Sequence, residues 1–165
     1  MFKQPGPAPV PAADLAASLA PFGQSRMLPR EAYVDPEVFD WEQRAIFSGW
    51  TCVGHAGDVA GAGTQRAVGS GANGMLLVRG EDDRVRAFAN TCRHRGHELL
   101  ACGAETKRRA IVCPYHAWSY KLDGSLRTAP GFKDESGFDA AGLGLAERRL
   151  ADWHGWLFAD PSGQD

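Results

Sequence analysis

Two short stretches carry side chains able to do chemistry together. "CRHRGHELL" (92–100) puts Cys92 one residue from His94, and "CPYHAW" (113–118) puts Cys113 two residues from His116. Eighteen residues lie between His94 and Cys113. Thiolate sulfur and neutral imidazole nitrogen are strong donors to borderline and soft metals. Two centres suit a set of two of each. Zinc takes Cys2His2 tetrahedrally, but finger spacing keeps the cysteines together and the histidines together. Here the types alternate. A two-iron, two-sulfide cluster accepts the same set when two histidines replace two cysteines on one iron. With four thiolates the oxidised cluster is a dianion; with two neutral imidazoles it is uncharged, and adding an electron is easier. Potentials then lie at about −150 to +300 mV, against about −400 mV for plant-type ferredoxins.

Each pair follows a candidate strand, "RVRAFA" (84–89) and "RRAIVC" (108–113), so two loops can be delivered side by side. Gly96 and Pro114 suit tight loops. Tyr115 and Trp118 are bulky enough to keep water off a cluster, and backbone N–H groups near Gly96 and Ala117 are candidate donors to its sulfides. Arg93 and Arg95 add positive charge beside the donors.

Short β segments separated by turns make up the chain after Trp50: "WTCVGH", "TQRAV" (64–68), "GMLLVR" (74–79), the two strands above, "LGLAERRL" and "GWLFAD". "GEDDR" and Asp123-Gly124 mark hairpins. "GAGTQRAVGSGANG" (61–74) has no Gly-Lys-Ser/Thr and opens no helix, so it reads as a flexible β connection rather than a phosphate loop. Before Trp50, residues 33–50 read as one helix, with Asp35 as N-cap, Pro36 in the first turn and Gly49 at its end. Residues 1–30 read as a flexible Pro/Ala-rich leader; its prolines and Asp14 are unlike a signal peptide.

The 165 residues suffice for one domain with a real core. A net charge of −2 gives no case for nucleic acid or an anionic membrane, and no apolar run nears the roughly 18 residues of a span. Lys107-Arg108-Arg109 reads as a solvated face. The protein is expected in the cytoplasm, where cysteines set among histidines suggest metal rather than disulfides. Of the other two, Cys52 in "WTCVG" reads as a buried thiol and Cys102 as a loop bystander.

"CRHRGHELL" and "CPYHAWSYKLDGSL" resemble the Rieske motif, and "HRG", "CPYH-x-W-x-Y" and the following Asp-Gly resemble the oxygenase α subunits of the Rieske non-haem iron oxygenases. The similarity runs from about Tyr33 to Phe158 and includes the helix "DPEVFDWEQRAIFSGW". It implies a mainly β fold: a Rieske-type antiparallel β sandwich with a small cluster-binding subdomain and one N-terminal helix. It implies a [2Fe-2S] cluster with Cys92 and Cys113 on one iron and His94 and His116 on the other, shielded by Gly96, Tyr115 and Trp118. The respiratory-chain relatives carry a disulfide over the cluster; Tyr115 stands at one of its positions and Cys102 does not match the other, so none is expected. Electrons would arrive from a reductase or ferredoxin and pass to a mononuclear Fe(II) in a further domain, usually within a trimer. That iron needs two histidines and a carboxylate. His55, His97, His154 and Asp152 do not supply the set, so the chain alone is not expected to oxygenate a substrate. The implied organisation is a leader at 1–30, a lead-in helix at 31–49, a Rieske domain at 50–160 and the start of a linker at 161–165. "CPYHAW" and "KLDGSL" are similar to members acting on quaternary ammonium or methylated compounds, slightly more than to those acting on aromatic acids. A stand-alone Rieske ferredoxin and a structural zinc module are the alternatives.

Overall fold

The computed structural model describes residues 6–47, 49–69, 74–132 and 137–160. The Gly-rich bend at 70–73 and the expected linker at 161–165 lie outside them. The chain divides into two units, Met1–Gly49 and Trp50–Asp165.

In the first unit, the stretch read as leader holds a short helix, α1 (Ala12–Ala16), followed by a 3-10 turn at Ala17–Leu19. The single helix expected over 33–50 is two: α2 (Glu31–Val34) and α3 (Pro36–Ala45). The break is Asp35, which is extended (φ −80°, ψ 122°) because a proline ring excludes the α conformation from the residue before it. Asp35 Oδ1 accepts the Glu37 N–H at 2.8 Å and so caps α3. The helix stops at Ile46, short of Gly49. Trp41 Nε1 donates to the Gly6 carbonyl at 2.8 Å, tying the leader to α3.

The second unit is β. Its strands are β1 (Thr51–His55), β2 (Thr64–Val68), β3 (Met75–Arg79), β4 (Val85–Ala89), β5 (Glu105–Lys107), β6 (Ile111–Val112), β7 (Ser119–Tyr120), β8 (Leu126–Thr128), β9 (Glu147–Trp153) and β10 (Trp156–Asp160). Seven form an antiparallel sheet in the order β1-β10-β9-β4-β3-β2-β5, and β6-β7-β8 form a second, smaller one. This is the mainly β architecture read from the sequence. β5 was not anticipated: its "ETK" is polar and pairs only at the sheet edge, against β2.

Strand β3 explains why "MLLV" shows no alternation. Leu76 and Val78 face one core, with Phe88, Cys92, Cys113 and Tyr120; Met75 and Leu77 face another, with Val59, Leu157 and Ala159. Both faces are buried, so both must be apolar. Cys52 is exposed, against the sequence reading. It sits on β1, an edge strand paired only with β10, in a half-exposed pattern. Gly124 is required at the β7–β8 turn. It has φ +86°, and a Cβ there would lie 2.4 Å from Phe88 Cε1. His154 and Gly155 turn the β9–β10 hairpin, while His55 Nδ1 accepts the Gly57 N–H at 3.0 Å. Among the described residues, no helix is long and apolar enough to cross a membrane.

Candidate metal centre

The two motif loops are geometric copies of each other, a likeness invisible in their sequences. The Cys92 N–H donates to the His97 carbonyl at 2.8 Å and the Gly96 N–H to the Cys92 carbonyl at 3.0 Å. One loop over, the Cys113 N–H donates to the Trp118 carbonyl at 2.8 Å and the Ala117 N–H to the Cys113 carbonyl at 3.1 Å. In each, the fifth residue takes positive φ: +70° at Gly96 and +58° at Ala117. Those two N–H groups are therefore committed to the cysteine carbonyls and are not donors to a sulfide. Gly96 is exposed and shapes a turn.

The first loop is anchored at its stem by Asn90, a buried side chain that mimics a backbone pair. Its Nδ2 donates to the Leu100 carbonyl at 2.6 Å and its Oδ1 accepts the Leu100 N–H at 3.1 Å. The second loop is held by the β6–β7 ladder, Ile111 opposite Tyr120 and Val112 opposite Ser119.

The loops set the donors in like pairs. Cys92 and Cys113 are each 2 % exposed and belong to one core cluster. Burial pushes the Cys92 thiol above its ordinary value, opposed by hydrogen bonds from Tyr120 and the backbone at His94, with the Cys113 thiol alongside adding to the rise. At the surface side, the His94 and His116 rings meet edge to face, centroids 4.9 Å apart. Desolvation first, then the neighbouring His116 and Arg95, lower the His94 pKa, which favours the neutral ring that metals bind.

Aromatic rings enclose this arrangement. Trp118, buried, stacks on His94 at 4.9 Å with 8° between planes, and Phe132 meets both edge to face. Tyr115 covers His116 at 3.7 Å but is itself 55 % exposed, so it covers an imidazole rather than the thiols. His97 Nδ1 donates to the Glu98 carbonyl at 2.7 Å, and its ring lies 5.3 Å from that of Tyr115.

Tyr120, the last residue of the "CPYH-x-W-x-Y" pattern, has a role that the pattern alone does not state. It is fully buried, its hydroxyl lies 3.2 Å from Cys92 Sγ, and it accepts the Arg93 N–H at 3.0 Å. Beside a thiol either atom of that contact can donate; once the sulfur is a thiolate, only the hydroxyl has a proton to give. Burial, then the Cys92 contact, raise its pKa well above the usual tyrosine value, so it stays a donor. A signal is present in the sequence: Trp118, Tyr120 and Leu122 alternate, and all three are buried.

Among the described residues, no three of His, Cys, Asp and Glu gather around a single ion. Two sulfurs in one pair and two imidazoles in another are a set that a two-iron group could take, two to each iron. Trp118 Nε1 is buried with no acceptor among the described residues, a spare donor beside the His94 ring.

Residues 49–141 match the Rieske [2Fe-2S] domain. The chain is 37% identical over 134 residues to the carnitine monooxygenase oxygenase subunit of Acinetobacter baumannii, covering 79% of this chain and 35% of that protein. It is 38% identical over 138 residues to the glycine betaine monooxygenase oxygenase subunit of Chromohalobacter salexigens, covering 83% and 31%. A solved quaternary ammonium Rieske monooxygenase, described in terms of carnitine oxidation and inter-subunit electron transfer, superposes with a TM-score of 0.70 at 34% identity, over 81% of this chain and 36% of that one. The chain thus spans about a third of the length of these relatives.

Proposed function

Given that the chain belongs to the Rieske [2Fe-2S] domain family, we propose that it is the electron-entry domain of a Rieske oxygenase, with Cys92 and Cys113 holding one iron and His94 and His116 the other. The observation that carries this reading is the pairing itself: thiol beside thiol in the core, imidazole against imidazole at the surface. When bound, the cluster supplies one-electron transfer at a potential raised by its imidazole ligands.

The chain's own residues prepare that role. Toward a thiolate at Cys92 the Tyr120 hydroxyl would donate, and such a bond favours the more negative, reduced state of whatever the sulfur ligates. Trp118 fixes the His94 ring plane and, with Phe132, excludes water on that side. His116 is exposed, so its ring edge is open to a partner.

The division between Gly49 and Trp50 supports a Rieske domain that begins at residue 50, after a lead-in segment. The electron donor is a reductase or ferredoxin, the acceptor a mononuclear iron in further sequence of the oxygenase, the assembly a trimer and the compartment the cytoplasm. Likeness to carnitine and glycine betaine monooxygenase subunits supports a quaternary ammonium or other N-methylated substrate, demethylated or hydroxylated with O2.

The test is elemental and spectroscopic. Purified chain should hold about two irons and two acid-labile sulfides and give a paramagnetic signal on one-electron reduction. A colourless protein holding one zinc in place of iron overturns the reading.

A further inference from the structure

Half of the chain's positive charge is gathered on one surface. Nine of its 18 Lys and Arg, but only four of its 20 Asp and Glu, line three adjoining hollows of about 510, 340 and 330 Å3. The first and second share Glu81, Arg109 and Leu122, and the first and third share Arg86. The chain as a whole carries −2, so this is segregation rather than excess.

Two of the four local acids are engaged, one by a cation and one by a serine. Asp82 pairs with Arg86 at 2.7 Å, and Asp123 Oδ1 accepts from the Ser125 N–H and hydroxyl at 2.9 and 2.6 Å. Lys107, Arg108, Arg109 and Arg127 have no carboxylate within ion-pair distance among the described residues. The belt backs onto the metal centre. Leu122, in its floor, is buried in the same core cluster as both cysteines, and Lys121 is the chain neighbour of Tyr120, whose hydroxyl meets Cys92 Sγ.

We infer that this belt is the docking surface for an acidic electron-donor protein. The inference rests on the proposed electron-entry role and adds the face through which the donor is met. An extended, shallow, positive surface with unpaired cations attracts a partner of opposite sign and speeds its encounter. A nucleic acid fits less well: Glu81 and Glu147 interrupt the belt, and its lining among the described residues has no aromatic ring on which a base would stack.

The chain's lysines make a direct test. It has four, of which Lys107 and Lys121 lie in the belt; the others are Lys3 and Lys133. The probe is a plant-type [2Fe-2S] ferredoxin, mixed with the full chain and coupled by a zero-length carbodiimide that joins carboxylates to amines. Cross-links should concentrate on Lys107 and Lys121 and fade between about 20 and 500 mM salt. The triple variant Arg109→Glu, Lys121→Glu, Arg127→Glu should weaken ferredoxin binding by about tenfold or more at low salt, while Arg26→Glu leaves it unchanged. Cross-links mainly at Lys3 or Lys133, absence of binding, loss of affinity on Arg93→Glu with Arg95→Glu but not on the triple change, or tighter capture of duplex DNA than of ferredoxin each overturn it. Iron and sulfide content is measured on the same samples, so failure of the cluster reading is seen separately from failure of docking.

Discussion

Replacing Tyr120 by Phe isolates one hydrogen bond. The ring is fully buried and phenylalanine keeps its volume, so the packing against Phe88, Ile111 and Leu122 survives. What is lost is the hydroxyl 3.2 Å from Cys92 Sγ. A hydrogen bond to a charged group contributes about 1.5–3 kcal/mol. The bond exists in both redox states and strengthens as electron density on the sulfur rises, so about half of it acts on the difference. That is about 0.75–1.5 kcal/mol, or about 30–65 mV for one electron, since tenfold in the equilibrium corresponds to about 59 mV. The potential of the loaded chain should therefore fall by about that amount, read by voltammetry or by a dye-mediated redox titration. The change also strands the Arg93 N–H, now held at 3.0 Å by the hydroxyl, at a cost of about 1–3 kcal/mol in stability if water does not replace it. An unchanged or raised potential in a folded, fully loaded Tyr120→Phe protein would show that the hydroxyl does not act on the sulfur as argued.

Other expectations follow from the same geometry. His116→Cys, where the cluster assembles, adds an anionic ligand and should lower the potential; an unchanged value contradicts the charge argument. Ala117→Gly relieves a side chain held at φ +58°, and after the extra unfolded-state freedom of glycine should raise stability by about 0.5–1 kcal/mol in denaturant titration; a loss would refute the strain. Gly124→Ala should be strongly destabilising, because its Cβ would sit 2.4 Å from Phe88 Cε1, seen as a lowered midpoint with a disturbed β7–β8 hairpin. Hydrogen bonding and charge from Arg86 hold the Asp82 carboxyl well below its usual range. A depressed folded pKa adds stability above the unfolded value near 4 that is lost as pH falls toward the folded one, so wild type should lose stability below about pH 4 more steeply than Arg86→Ala. Parallel acid-unfolding curves would contradict the pairing.

The donor types, their order and their spacing were legible in one dimension because metal chemistry is a matter of which atoms are present. So were the strands with alternating or wholly apolar texture, the Asp123-Gly124 turn and the Asp35 cap, which depend on near neighbours. Other features needed the third dimension. Cys52 sits in an apolar stretch yet faces outward, since burial depends on what covers a strand and β1 is an edge. β5 exists because β2 offers it a ladder, not because "ETK" favours one. The belt joins residues from 81 to 149 that no local pattern connects. That Cys meets Cys, His meets His and Tyr120 reaches across 28 positions to a sulfur was decided by folding, because hydrogen bonds and ligand pairs act over a few ångströms of space, not along the chain.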